Sequence, residues 1–202
     1  MPTTLLIVDD FLTNAQQLRD TALKLTYPQL EGPFPGRNSL ERIQLDGLVP
    51  TVSRLLGEPL ALMEPLGSHA KCRITLAADA GRAKVHIDPS HWSGILYLSQ
   101  PEHCQGGTEF FRHKRTNTDR APLTRAELAH MGYASIDEMH QDIIERDSND
   151  DAQWERTMVV PMRFNRLVLL RPWLWHTAGP AFGDSLANGR LVYLMFFASA
   201  AQ

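Results

Sequence analysis

The chain has 202 residues, of which 43% are hydrophobic and 21% charged, and its formal net charge is −3. This composition fits one globular domain over residues 1–202, and the slight negative charge argues against a general nucleic-acid binder. No apolar run reaches the roughly 18–20 residues that cross a bilayer, and acidic residues appear too early for a secretory signal. Since only Cys72 and Cys104 are available for disulfides, we expect a reducing, cytoplasmic setting.

Residues 1–59 are predicted to contain one strand and two supporting helices. TTLLIVDD, at 3–10, is typical of a short strand. Apolar residues then recur every three or four positions over 11–25, which indicates a helix. Thr13 and Gln16 have the spacing of a capping box at its start.

A second amphipathic helix is predicted over 39–56, interrupted near Gly47 and Pro50, after a proline- and glycine-rich surface connection. The pattern then changes to short apolar runs separated by turn residues, such as ALMEPL, CRITLA, AKVHID and GILYLS, which indicates consecutive strands. We expect the β-rich core to occupy 60–111 and 157–202, on either side of a polar insertion over 112–156.

The insertion is predicted to be helical. Capping boxes begin at Thr124 and Ser135, and Ile136, Met139 and Ile143 form an apolar stripe at helical spacing. Two interpretations stay open for it: a lid over a site, or a solvated decoration of the surface.

The order of the elements predicts an all-β core with flanking helices, an α+β arrangement in which helices cover one side of a sandwich or barrel. Strands and helices do not alternate, which excludes a parallel doubly wound sheet. No G-x-G-x-x-G motif or P-loop occurs, so nothing indicates nucleotide-dependent chemistry.

The most informative residues chemically are His86 and Asp88. In a strand, residues two apart point to the same face, so these two side chains can occupy adjacent positions on a metal. The best third ligand is His176, which directly follows an apolar strand. Two histidines and one carboxylate form the facial triad of non-haem Fe(II) oxygenases. The tripeptide H-x-D alone is common by chance, so the remaining features have to support this assignment.

Three further features accompany these residues. Tyr97 follows His86 on the next predicted strand, and GGTEFF at 106–111 is a tight turn leading into an apolar strand. Arg190 opens the predicted strand RLVYLMFF. A guanidinium at the start of a core strand needs an anionic partner, and its planar fork can bind both oxygens of a carboxylate.

The order H-x-D, Y-L-S, G-G-T-x-F-F, N-R-L-V-L-L, W-H and R-L-V-Y-L resembles the prolyl-hydroxylase type of Fe(II)- and 2-oxoglutarate-dependent dioxygenases. The resemblance covers roughly 70–111 and 157–199. The chain departs from the family pattern in the longer gap between His176 and Arg190 and in the insertion. Arg171 is the alternative cation, but its position before His176 fits less well.

The resemblance implies a double-stranded β-helix, also called a jelly-roll or cupin-like fold. It implies His86, Asp88 and His176 as Fe(II) ligands, Arg190 as the residue that binds the distal carboxylate of 2-oxoglutarate, and Tyr97 as a hydrogen-bond donor beside it. The implied reaction uses dioxygen to hydroxylate a C–H bond of an amino acid, a peptide or a small metabolite, and releases succinate and carbon dioxide.

Substrate contacts are predicted only by position. The candidates are Arg73, Ser90, His91, Trp92, Trp173 and Trp175. Each tryptophan also fits simple core packing. The other histidines, at 69, 103, 113, 130 and 140, have no ligand spacing to His86 and are expected mostly at the surface.

Two alternatives to the 2-oxoglutarate oxygenase stay open. One is a cupin-like metalloenzyme that does not use 2-oxoglutarate, and the other is a non-catalytic jelly-roll binding module. Arg190 distinguishes the first alternative and metal binding the second. The oligomeric state and the substrate are not predicted by any feature of the sequence.

Overall fold

The computed structural model describes residues 3–29, 32, 34–81 and 83–200, so Glu31 and Pro33 of the predicted surface connection lie outside the described residues. The described strands, in chain order, are Leu5–Val8 (β1), Arg37–Asn38 (β2), Leu60–Leu62 (β3), Cys72–Thr75 (β4), Trp92–Tyr97 (β5), Gly107–His113 (β6), Trp154–Pro161 (β7), Leu167–Leu170 (β8), His176–Thr177 (β9) and Arg190–Ser199 (β10).

These strands form two antiparallel sheets. The larger sheet has the order β1-β8-β5-β10-β4-β2, and β3 pairs with β10 beside this path. The smaller sheet has the order β7-β6-β9. The predicted β-rich core with flanking helices is therefore confirmed as a mostly antiparallel β structure.

Two helices, Ala15–Ala22 (α1) and Leu48–Leu56 (α2), cover one face of the larger sheet. Their buried side chains pack with Trp92, Tyr193 and Phe197 in one hydrophobic core. Because alternate residues of a strand point to opposite faces, this packing leaves Ser93 and Tyr97 of β5 on the other face. None of the helices in the described residues is both long and apolar enough to span a membrane.

Two details of the predicted helices are wrong. Thr13 and Gln16 form no capping box: the N-cap is Asn14, without a side-chain cap, and the Gln16 amide donates to Asp20 instead. Residues 39–46 are not helical, because α2 begins only after Gly47, whose φ is +69°.

Pro50 is tolerated in α2 because it lies in the first turn, where backbone N–H groups have no partner within the helix. The predicted strand AKVHID is also wrong. Its only described ladder contact is an isolated antiparallel bridge between His86 and His176.

The connection between β6 and β7 contains Arg125–His130 (α3) and Ile136–Met139 (α4), and α4 continues into a π-helical turn over His140–Arg146. Both predicted helix starts are correct, because the hydroxyls of Thr124 and Ser135 accept hydrogen bonds from backbone N–H groups three residues later. Short 3-10 turns occur at Pro101–His103 and Asp151–Gln153.

The insertion has its own hydrophobic core. Met139 and Ile143 are buried in it as predicted, but Ile136 is 52% exposed and does not belong to it. The core also contains Val85, Trp154 and Trp175, which lie outside the inserted helices. The insertion is therefore packed firmly against the β core.

Candidate metal centre

His86, Asp88 and His176, which we call the ligand triad, are brought together by backbone pairing. The N–H of His86 donates to the carbonyl of His176 at 2.9 Å, and the reverse bond measures 3.1 Å. The N–H of Asp88 donates to the carbonyl of Pro172 at 3.1 Å. Two segments far apart in the sequence are thus held side by side, with all three side chains on one site.

The donor atoms of the triad converge. One ligand atom from each residue lies within 4.8 Å of the others. Asp88 Oδ1 is 3.8 Å from His86 Nε2, and Asp88 Oδ2 is 3.6 Å from His176 Nε2. These separations are those of atoms that face one common point. In the described residues, this is the one group of histidine, cysteine and carboxylate side chains with a metal-binding arrangement.

The tautomer of both histidines is set by backbone carbonyls. His86 Nδ1 lies 3.0 Å from the carbonyl of Lys84, and His176 Nδ1 lies 2.8 Å from the carbonyl of Leu174. A carbonyl oxygen can only accept, so each Nδ1 carries the hydrogen. Both Nε2 atoms therefore present a lone pair to the site, as metal ligation requires.

Asp88 is oriented by a serine. The Ser93 hydroxyl donates to Asp88 Oδ2 at 2.6 Å and is itself 2.9 Å from the hydroxyl of Ser90. Burial acts to raise the pKa of Asp88, but hydrogen-bond and charge interactions with His176 and His86 outweigh it, and the pKa of this carboxyl is lowered.

The titration of His86 favours ligation as well. Burial, followed by the charge of the neighbouring His176, lowers the pKa of His86 to about 4. At neutral pH the triad therefore combines a neutral His86 imidazole with an ionised carboxylate, which are the forms that bind a divalent cation.

Arg190, at the start of β10, is a buried cation without a described counter-ion. Its residue exposure is 2%, and its Nε and Nη2 atoms have no hydrogen-bond partner in the described part of the chain. Burial lowers the pKa of this guanidinium. Buried charges without partners are costly, so this guanidinium is suited to an anionic partner.

Tyr97 lies beneath this guanidinium, since Arg190 Cζ is 5.9 Å from the centre of the Tyr97 ring. The Tyr97 hydroxyl accepts from the N–H of Thr108 at 2.9 Å and is 2.7 Å from the Thr108 hydroxyl. Tyr97 therefore lies near Arg190, and its hydroxyl is anchored by β6; its role as a donor to 2-oxoglutarate stays a prediction.

Arg73 was a substrate candidate, but its guanidinium is bonded within the chain. It donates to the carbonyls of Phe34 and Pro35, at 2.9 and 2.5 Å, and to the amide oxygen of Asn38 at 2.7 Å. These contacts show that Arg73 holds the segment 34–38, which we call the Phe34 segment, and the substrate contact of Arg73 stays a prediction. The Phe34 ring lies 4.3 Å from the ring of His86.

His91 and Trp92 are bonded to the chain behind the site. Glu58 accepts from the Trp92 indole at 3.2 Å and lies 3.0 Å from His91 Nε2. Arg171 donates to the same carboxylate at 2.6 Å and stacks over Trp92 at 4.2 Å. Trp92 has no exposed surface and lies in the core under α1 and α2. The prediction that Trp92 contacts substrate is therefore corrected to a packing role.

Trp175 is likewise a packing residue. It is fully buried in the core of the insertion, and its indole donates to Thr118 at 3.2 Å. Arg171, the alternative cation for 2-oxoglutarate, is already paired with Glu58, whereas Nε and Nη2 of Arg190 have no hydrogen-bond partner among the described residues.

The expectation of surface histidines is wrong for two of them. His69 and His113 are 2% and 0% exposed. His69 Nδ1 lies between the backbone N–H and carbonyl of Phe196. His113 Nε2 is 3.0 Å from Asp147. Local sequence does not reveal their burial, because the partners Phe196 and Asp147 come from distant segments.

Three residues that support the site were not predicted. Ser93 holds Asp88, and Phe34 packs on His86. The hydroxyl of Ser148, in the insertion, donates to the Val85 carbonyl at 2.8 Å and accepts from the Lys84 N–H at 2.9 Å. Only Ser93 had a usable signal, since it shares a strand face with Tyr97.

Comparison with known proteins gives a family and a fold. A family model described as "Family of unknown function (DUF6445)" matches residues 2–197. The chain belongs to this family. A search of the curated proteins finds no match for this chain.

Solved structures share the fold of this DUF6445 chain at low sequence identity. HygX from Streptomyces hygroscopicus, with nickel, 2-oxoglutarate and hygromycin B bound, is 15% identical with a TM-score of 0.55, covering 98% of this chain and 84% of HygX. SnoK, a non-haem alpha-ketoglutarate-dependent carbocyclase from nogalamycin biosynthesis, is 14% identical with a TM-score of 0.56, covering 99% and 87%. The predicted likeness to the Fe(II)/2-oxoglutarate oxygenases is thus confirmed at the level of the fold.

Proposed function

We propose that this DUF6445 protein is an Fe(II)- and 2-oxoglutarate-dependent oxygenase built on a double-stranded β-helix. It would hydroxylate a C–H bond of an amino acid, a peptide or a small metabolite, with dioxygen as oxidant and with succinate and carbon dioxide as co-products. The observation that carries the proposal is the convergence of His86, Asp88 and His176, with both Nδ1 atoms bonded to backbone carbonyls so that both Nε2 atoms carry a lone pair.

The donor set fits iron. Two imidazole nitrogens and one carboxylate are the facial triad that non-haem Fe(II) sites use, and they leave positions open for other ligands. Bound iron would supply the redox chemistry that activates dioxygen for attack on the C–H bond. The chain would hold it through His86 Nε2, His176 Nε2 and the carboxylate of Asp88, the last oriented by Ser93.

Arg190 fits the co-substrate. Its orphaned Nε and Nη2 atoms form one edge of the guanidinium fork, and such an edge binds both oxygens of a carboxylate. Because this guanidinium is buried, an incoming carboxylate would be bound where water is excluded and the attraction between charges is strong. Tyr97 supports the guanidinium from below.

The solved structures support the proposal through their shape. The HygX structure contains 2-oxoglutarate, and SnoK is described as alpha-ketoglutarate-dependent. HygX binds hygromycin B, whereas SnoK is described as a carbocyclase. Because these two proteins differ in this way, they do not indicate the substrate of this chain.

The deciding experiment is anaerobic titration of the purified protein with Fe(II) and 2-oxoglutarate. We expect the weak visible charge-transfer absorption that this pair gives when both bind one site, and slow succinate release after admission of air. No absorption change with His86, Asp88 and His176 intact would refute the proposal.

Arg190→Gln tests the co-substrate assignment. We expect the KM for 2-oxoglutarate to rise at least tenfold while Ni(II) affinity stays unchanged, because only the carboxylate partner is lost. The matched control is Arg156→Gln, which removes an arginine whose side chain is 58% exposed on β7. Turnover that is insensitive to Arg190→Gln would favour a metalloenzyme that does not use 2-oxoglutarate.

A further inference from the structure

A cavity of about 410 Å³ lies along β2, at the edge of the larger sheet. Its volume is that of a small-molecule pocket. Three of its lining residues are cationic, namely Arg37, Lys71 and Arg73, and no described lining residue is an aspartate or glutamate. We call it the basic cavity.

The basic cavity shares a wall with the candidate metal centre. Phe34 lines the cavity, and its ring is 4.3 Å from the ring of His86. Arg73 also lines the cavity, and its hydrogen bonds to Phe34 and Pro35 fix that wall. One phenyl ring therefore separates the cavity from a residue of the ligand triad.

The Phe34 segment, which forms the wall between the basic cavity and His86, is closely packed. Gly36 has a φ of +91°, which suits glycine, and a Cβ there would overlap the Thr75 hydroxyl and the Ile74 carbonyl. On the other side, a Cβ on Gly81 would lie 2.5 Å from the ring of Pro35. The Phe34 segment is thus pressed between two parts of the chain, and the cavity is a formed feature of the fold.

The positive charge in the cavity is not neutralised by described partners. Arg37 Nε is buried without a hydrogen-bond partner. The Arg73 guanidinium donates to neutral oxygens; Asp79 is near enough to act on its charge, but the Asp79 carboxylate accepts from the N–H of Leu76 at 2.9 Å. Glu41, whose carboxylate is near enough to be influenced by Lys71, is held instead by the N–H and hydroxyl of Thr26 at 2.9 and 2.8 Å. An unpartnered buried donor destabilises the fold, and an anionic ligand would offset that cost.

We propose that the basic cavity binds an anionic group, a carboxylate or a phosphate, of the oxygenase substrate, whose reacting carbon then reaches the metal past Phe34. This inference rests on the proposed function for the reaction, but the anion site itself does not depend on metal or turnover. The substrate class is therefore a small acidic metabolite or an acidic peptide.

The first test is calorimetric titration of the metal-free protein with inorganic phosphate and, separately, with propionate. It uses Arg190→Gln as the starting protein, so that the buried guanidinium does not contribute. We expect one anion site, and at least tenfold weaker binding when Arg37→Gln or Lys71→Gln is added. The controls are Arg125→Gln and Lys24→Gln, which remove exposed cations outside the cavity.

Each outcome of this titration decides the proposal. Binding that is lost with Arg37→Gln and Lys71→Gln but kept in both controls supports it. No detectable site in Arg190→Gln, or binding that survives both cavity variants, overturns it. Tighter binding of phosphate or of propionate identifies which anion the cavity favours.

The second test is a succinate-release screen with carboxylated or phosphorylated compounds and their neutral amide or alcohol counterparts. We expect activity with the anionic members, and a tenfold or greater rise in substrate KM in Arg37→Gln at unchanged KM for 2-oxoglutarate. Preference for neutral compounds overturns the anionic substrate class. Absence of all succinate release would refute the oxygenase and leave the phosphate titration as the test of the cavity.

Discussion

Two histidine–aspartate clusters of this protein have opposite character. In the insertion, His113 Nε2 lies 3.0 Å from Asp147, whose carboxylate also accepts from Arg115 at 2.7 Å and Arg146 at 3.0 Å. His113 Nδ1 lies 2.9 Å from the Thr116 hydroxyl, so both ring nitrogens have partners. We call this group the arginine-closed cluster. In the ligand triad, each histidine has one nitrogen bonded to a carbonyl and one directed at the site.

The difference teaches what distinguishes a structural histidine from a metal ligand. Burial and proximity to a carboxylate are shared by both clusters. In the arginine-closed cluster, cationic side chains occupy the space that a metal ion would need. In the triad, no arginine or lysine donates to Asp88 in the described residues, so the position between the side chains is free to hold a cation.

The largest expected effect comes from His176→Ala. We expect Ni(II) affinity, measured by calorimetry, to fall at least a hundredfold, because three ligands are reduced to two. His113→Ala is the matched change in the other cluster, and it should leave the affinity within a factor of two. If His113→Ala weakened metal binding as much as His176→Ala, the comparison would be broken.

Asp147→Ala should cost about 3 kcal/mol of unfolding free energy, because removal of one partner of a buried ion pair leaves the other charges uncompensated. Urea denaturation measures this loss. Ni(II) affinity should remain within a factor of two of the wild type. The control Asp151→Ala removes a carboxylate whose side chain is 78% exposed, and we expect it to change stability by less than about 0.5 kcal/mol.

The metal-free protein should lose stability as the pH falls. The pKa of His86 is about 4 when folded, against 6.5 for an ordinary histidine, because burial disfavours the charged imidazole, so the folded state resists protonation. Stability from this residue is complete above the unfolded pKa, and about 2 kcal/mol is lost between about pH 7.5 and pH 5. Burial lowers the pKa of His69 and His113 in the same direction.

Urea denaturation across this pH range, with His86→Asn beside the wild type, measures the contribution of His86. The variant should show a shallower pH dependence. Saturating Ni(II) should raise stability without flattening the wild-type profile below pH 6.5, since bound metal keeps the proton off the folded state while the unfolded imidazole still takes one up. A wild-type profile that is flat without metal would contradict the burial of neutral histidines in both clusters.

The smallest expected effect is that of Ser93→Ala. Ni(II) affinity should weaken about tenfold, the lower range for loss of a group that orients a metal ligand. Ser90→Ala removes only the next hydroxyl in the chain of hydrogen bonds, so its effect should be smaller still. Equal effects of the two substitutions would show that Ser93 does not orient Asp88 directly.

Much of the fold followed from local signals. The short apolar runs predicted most of the strands, and Thr124 and Ser135 marked the helix starts correctly because capping depends on residues three apart. The segment around His86 was predicted wrongly as a strand, since its conformation is set by pairing with His176 about ninety residues later. Such pairing leaves no mark in local periodicity.

The candidate site was predictable where residue type determines chemistry. His86, Asp88 and His176 are assembled as the spacing and the resemblance implied, and the buried Arg190 has two nitrogens without a hydrogen-bond partner in the described part of the chain. The substrate candidates were not predictable in the same way. Trp92 and Arg73 are typical pocket residues by type, but their partners, Glu58 and the Phe34 segment, come from distant parts of the chain.

The residues just before the two histidine ligands, Val85 and Trp175, both belong to the hydrophobic core of the insertion. Each ligand thus stands on a short segment whose preceding side chain is embedded in inserted sequence. The insertion therefore supports the two segments that carry the histidine ligands, which neither a lid nor a solvated surface decoration would require. Excision of 114–153 should abolish metal binding even though it removes no ligand.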